Sequence, residues 1–182
     1  MKLFKKLAAA VLAAALALTM VGCGGGNSYA MQDELLKFTI DRMTEDGETV
    51  TQSKKANEMA AALLAAADTA AGQMENKGVE AKALLHDPAV IKAAQIDPEK
   101  TPCRFNLIDD VQFKSSGAMS DLLKMEWMGY VTSSSRFDNI GTFYPSNNDK
   151  VEIGAATHKI GDKSYTLILF TYTPTTTPAN PL

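Results

Sequence analysis

An α+β domain is predicted by three features of the chain. An Ala-rich helical pattern fills residues 53–76. Alternating apolar residues mark strands at Cys103 to Phe113 and from Val151 onward. Gly161-Asp162, between two apolar runs, marks a hairpin turn. Helices first, then strands with one helix between them, fit a single α+β domain.

The chain begins with Lys2, Lys5 and Lys6, followed by an uncharged apolar run from Leu7 to Val21. That run is short for a membrane-spanning helix, which needs about 20 apolar residues, and it has the plan of a secretory signal. Leu18-Thr19-Met20-Val21-Gly22-Cys23 closes it. This stretch resembles the lipobox of bacterial lipoproteins, with Met20 where that family usually has Leu. The resemblance implies removal of residues 1–22 and a thioether-linked diacylglyceryl group on Cys23. It also implies a lipid-anchored protein on the extracytoplasmic face of the cell membrane. Two acyl chains hold a protein firmly where one binds only marginally. Residues 23–30, with Gly24-Gly25-Gly26-Asn27-Ser28, are expected to form a flexible tether.

Without the signal, 160 residues remain, with 15 basic against 21 acidic side chains and a formal charge of −6. That length suits one domain with a real core, expected over 31–173. Its acidity argues against nucleic acid as a partner and against lying flat on an anionic bilayer. With Cys23 lipidated, Cys103 has no intrachain disulfide partner and is read as a small buried hydrophobe.

Leu36, Ile40 and Met43 give a helical spacing over Met31 to Met43, with Asp33 and Glu34 expected near its start. Thr44 to Glu48 reads as an acidic turn. Ser53 can cap the next helix, whose stripe is Leu63, Ala67, Ala70 and Met74, widened by Leu64 and Ala71. Gly78 is the expected stop. Short helices are expected at Glu80 to Leu85 and after Pro88, and a loop at Asp97-Pro98 and Thr101-Pro102.

Cys103, Phe105, Leu107, Val111 and Phe113 predict a strand with one apolar face. A helix is expected over 118–128, with its Met residues as core filler and Trp127 beside them. Thr132 to Ser135 and Pro145 to Asp149 are polar breaks. Val151, Ile153 and Ala155 alternate with Glu152 and Gly154, and the Glu152–His158 face is expected to be the polar one. Tyr165 to Tyr172 is apolar on both faces, as in a central covered strand. Residues 174–182 are expected to be a disordered Pro/Thr-rich tail.

The second half also resembles the CAP superfamily (cysteine-rich secretory, antigen 5, pathogenesis-related). Phe105-Asn106-Leu107 stands where that family has Glu-Asn-Ile, and a helix then ends at Trp127. Ser134 to Ile140 resembles its polar turn. Ile153-Gly154-Ala155 and Tyr165 to Phe170 resemble its closing strands. The resemblance implies an α-β-α sandwich over roughly 53–173. Its metal cleft departs from the pattern: Phe105 replaces the Glu, Ser135 replaces a His, and His86 alone could stand for the other His.

No catalytic, cofactor or metal residue is assigned. Cys103 with His86 or His158 would be the only Cys-His nucleophile, and nothing local supports it. Ser133 to Ser135 lacks a nucleophile elbow. The adopted reading is a non-catalytic module binding a cell-wall, lipid or protein ligand. The alternatives are an accessory envelope protein acting through a protein partner, or a hydrolase with an unrecognised site. Aromatic side chains such as Phe143, Tyr144 or Trp127 along a groove would favour the first, and a flat apolar patch the second.

Overall fold

The structure is a computed structural model that describes residues 28–73, 76, 78–109, 137–143 and 150–173. Several expectations lie outside these residues. They are the signal and Cys23, Met74, Val111 and Phe113, the helix at 118–128 with Trp127, the polar breaks at 132–135 and 145–149, Tyr144 and the tail.

The described residues form helix α1 (Ser28–Glu45), strand β1 (Val50–Gln52), helices α2 (Lys54–Ala71), α3 (Ala81–Leu85) and α4 (Pro88–Ala93), then strands β2 (Cys103–Asp109), β3 (Asp138–Ile140), β4 (Lys150–Ile160) and β5 (Lys163–Thr173). The strands make one five-stranded mixed sheet in the order β1-β4-β5-β2-β3. Only the β1–β4 pair is parallel. The α+β expectation therefore holds.

Two apolar clusters fix the layers. On one face, Leu63, Leu64 and Ala67 of α2, Leu84, Leu85 and Val90 pack on Cys103, Phe105, Leu167 and Leu169. On the other face, Leu35 and Leu36 of α1 pack with Ile108, Ile153, Ile168 and Phe170. Strand β5 lies at the centre of the sheet, covered on both sides, as its unbroken apolar run requires. Gly161 has φ 61° and opens the two-residue turn that joins β4 to β5. A glycine at the first turn position suits a type II′ hairpin.

Helix α2 runs along β4 and is tied to it by polar bonds. Ser53 caps the helix, its Oγ accepting from the Ala56 N–H. Asn57 Oδ1 accepts from the Ala155 N–H at 2.8 Å, and Asp68 Oδ1 accepts from the Gly161 N–H at 2.9 Å. The helix approaches closely because Gly154 has no side chain. A Cβ there would fall on the backbone of Ala56 and Asn57.

Strand β1 is too short to cover the edge of β4, and side chains complete the job. The Ala155 N–H goes to Asn57, and its carbonyl accepts from Gln32 Nε2 at 3.2 Å. Gln32 Oε1 accepts from Thr157 Oγ1 at 3.2 Å, which in turn accepts from Thr166 at 2.9 Å. One polar chain thus links α1, β4 and β5.

Several expectations are corrected. Helix α1 begins at Ser28, so the last three residues of the expected tether are helical, and Asp33 and Glu34 lie beyond its first turn. Helix α2 stops at Ala71 with Gly72 as its cap, not at Gly78. Its burial is wider than a stripe, because Ala65 and Ala66 are buried as well. Strand β2 is covered on both faces, with Asn106 and Ile108 buried opposite Cys103 and Phe105. Asp138–Ile140, read as part of a polar turn, is strand β3 on the edge beside β2. The Glu152–His158 face of β4 is the one that packs under α2, with Ala156 and Ile160 in the core.

Candidate functional site

Among the described residues, two places beyond the polar chain of α1, β4 and β5 are candidate sites. The first is at the β3 edge. Asp138 lies opposite Phe105 in the β2–β3 register. Helix α3 is only five residues long and is capped by His86, so Lys82 and His86, one turn apart, both reach that strand. Lys82 Nζ is 2.7 Å from Asp138 Oδ2, and His86 Nε2 is 3.4 Å from Oδ1. The His86 ring packs on Phe105, with centroids 5.3 Å apart. The result is a carboxylate shared by an ammonium and an imidazole, with an apolar ring beneath.

A His-carboxylate pair becomes a catalytic device when it activates a nucleophile. Cys103 cannot serve. It is fully buried, and burial pushes its thiol up to about 12, so it is not a thiolate at neutral pH. The reading of Cys103 as a small buried hydrophobe fits this placement. His158 sits elsewhere, with Nε2 3.7 Å from Asp68 Oδ2. Phe105 aligns through Leu169 with Gly154, four positions from His158 along β4, or about 13 Å at strand rise. The two histidines are therefore separate. Among the described residues, no group of three or more His, Cys, Asp and Glu is placed to hold a metal ion.

The second place is an open groove of about 500 Å³ between α1 and β1, lined by Asp33, Leu36, Lys37, Ile40, Asp41 and Gln52. Helical spacing explains the wall, since 33, 36, 37, 40 and 41 share one flank of α1. Leu36 is buried and Ile40 half-buried, forming the floor, while Asp33, Lys37, Asp41 and Gln52 are exposed on the rim. Lys37 stands four residues from each aspartate, a spacing at which charges often pair on a helix. The ion pairs of α1 run instead from Arg42 to Glu45 and Asp46. Among the described residues, Asp33, Lys37 and Asp41 make no ion pair.

Phe143, one of the aromatic side chains whose exposure along a groove would favour a binding module, is buried and packs edge-on against Tyr172 at 5.1 Å. Val79 is the exposed large hydrophobic side chain among the described residues, so they form no flat apolar patch. Also among them, no helix is long and apolar enough to cross a membrane. Among the described residues, the Nδ2 of buried Asn106 has no hydrogen-bond partner. Sequence reading missed both polar clusters. Strand β1 carries no long apolar alternation, and Asp138 looked like part of a turn.

No family model, no curated protein and no solved structure matches this chain.

Proposed function

We propose that the chain is a lipid-anchored bacterial envelope protein whose domain is a binding module, with the α1–β1 groove as its ligand site. The observation that carries the binding part is the groove itself. Three charged side chains, which make no ion pair among the described residues, stand on its rim above an apolar floor. A pocket with an apolar base and a few oriented polar groups is the usual form of a ligand site. The anchor rests on the lipobox at Cys23. Only four residues, Gly24 to Asn27, lie between Cys23 and the start of α1. The five steps from Cys23 to Ser28 cover at most about 18 Å when fully extended, so the groove helix would be held near the bilayer surface.

A CAP-like scaffold is the finer reading of the fold. Helices on both faces of the sheet and β5 at its centre support it. So does the contact of His86 with Phe105, the two positions matched to the family's first His and its strand Glu. With a phenylalanine there, packing replaces metal ligation on that scaffold.

The experiment has two arms. Cys23→Ser should move the protein out of the membrane fraction and abolish its lipid labelling; retention with unchanged labelling contradicts the anchor. A photoreactive phenylalanine analogue at position 37 should give adducts in cells, and one at position 159 should not. Equal adducts at both positions, or none at 37, contradict the groove.

A further inference from the structure

The backbone of β1 extends the groove into a second kind of surface. The Val151 N–H donates to the Thr49 carbonyl, and the Ser53 N–H donates to the Ile153 carbonyl. In a parallel ladder this parity directs Thr49, Thr51 and Ser53 toward β4. Val50 and Gln52 therefore turn their N–H and C=O groups to the outer edge. β1 ends the sheet, so this edge has no neighbouring strand among the described residues. The side chains of Val50 and Gln52 lie on the α1 side, where Val50 joins the core and Gln52 the groove wall. A strand added beside β1 would point alternate side chains toward the same flank of α1.

We infer that this edge and groove take up an extended segment of a partner protein, bound as an added strand, with basic side chains four residues apart. The inference rests on the binding-module reading and names its ligand. Asp33 and Asp41 are eight residues apart on α1, or about 12 Å at helical rise. Residues i and i+4 of a strand are about 13 Å apart and share a face. Two basic groups at that spacing match the separation of the two aspartates, and residue i+2 between them would face the stretch of α1 that holds Leu36, Lys37 and Ile40. The sign is reinforced nearby: residues 33–48 carry six acidic side chains against two basic ones. Residues 174–182 hold three prolines and no charge, so they lack this pattern. Added-strand binding draws affinity from the main chain and specificity from alternate side chains.

The test uses the full lipid-anchored chain in detergent and a dye-labelled, end-blocked peptide, Lys-Thr-Val-Thr-Lys, read by fluorescence polarisation. A reordered peptide, Lys-Lys-Thr-Val-Thr, and a Glu-Thr-Val-Thr-Glu peptide are the controls. The expected result is binding of the first peptide, at least about tenfold weaker binding of the second and none of the third. Gln52→Pro should weaken binding at least about tenfold with an unchanged melting transition, because its N–H faces away from β4. Should that variant melt early, Asp33→Asn with Asp41→Asn must show the same loss. Equal binding of the two Lys peptides, no binding of either, or no effect of the double variant overturns the inference. Adducts at position 37 with lipid or glycan alone also overturn it, while leaving the groove as a ligand site.

Discussion

Asn57 on α2 accepts a hydrogen bond from the Ala155 N–H at 2.8 Å, standing in for a strand that β1 is too short to provide. Gln32 serves the carbonyl of the same residue from α1. Two helices on opposite faces of the sheet thus close one edge position of β4.

Asn57→Ala should therefore destabilise the domain by about 1–3 kcal/mol, because it leaves the N–H of a buried residue without a partner. Asn57→Asp keeps the acceptor and should cost less. Urea unfolding of the two variants beside the parent measures the difference. Equal losses would mean that the side-chain acceptor is not what holds this edge.

Gly154→Ala should be costly for a different reason. The added methyl meets helix backbone, not the end of a flexible side chain, so α2 must move from β4. A loss of at least about 1–3 kcal/mol is expected in the same unfolding measurement. A near-neutral substitution would show that α2 has room to withdraw.

These contacts also mark what was legible in the chain. The cap at Ser53, the turn at Gly161 and the central place of β5 follow from local chemistry and apolar periodicity, and the structure has all three. Strand β1 and strand β3 were not legible, because three-residue strands carry too few side chains to show a period. The polar look of the Glu152–His158 face misled for a related reason. Gly154 counts as neither apolar nor polar in a pattern, yet it is where the helix touches the sheet. Of the groove's rim charges, Asp33 alone carries a local signal, as an acid near a helix start, and only the tertiary position of β1 brings it into one groove with Lys37, Asp41 and Gln52.

Cys103 should react slowly and only through unfolding. Alkylation of the native protein at neutral pH is expected to be at least about a hundredfold slower than in denaturant. Its ionisation also sets a pH dependence. Burial raises the folded thiol from 9.0 to about 12. The contribution to stability is complete below about pH 9 and is lost as pH rises toward 12, since the unfolded chain ionises first. Thermal melts at mildly and strongly alkaline pH should therefore show a steeper decline for the parent than for Cys103→Ala.

Asp138→Asn should act locally. Its contacts with Lys82 and His86 are partly exposed, and surface pairs of this kind contribute about 0–1 kcal/mol, so the global melt should move little. Hydrogen exchange should quicken at Ile140 and at its partner Cys103, because the clasp from α3 to the edge strand is weakened. A large global loss with unchanged exchange would contradict this local role.

The most direct measurement is the intact mass and N-terminal sequence of the protein extracted from membranes. The expected result is a chain that starts at Cys23 and carries a diacylglyceryl group. An unlipidated chain, or one that starts at any other residue, would contradict it and would remove the reason to hold α1 and its groove at the bilayer surface.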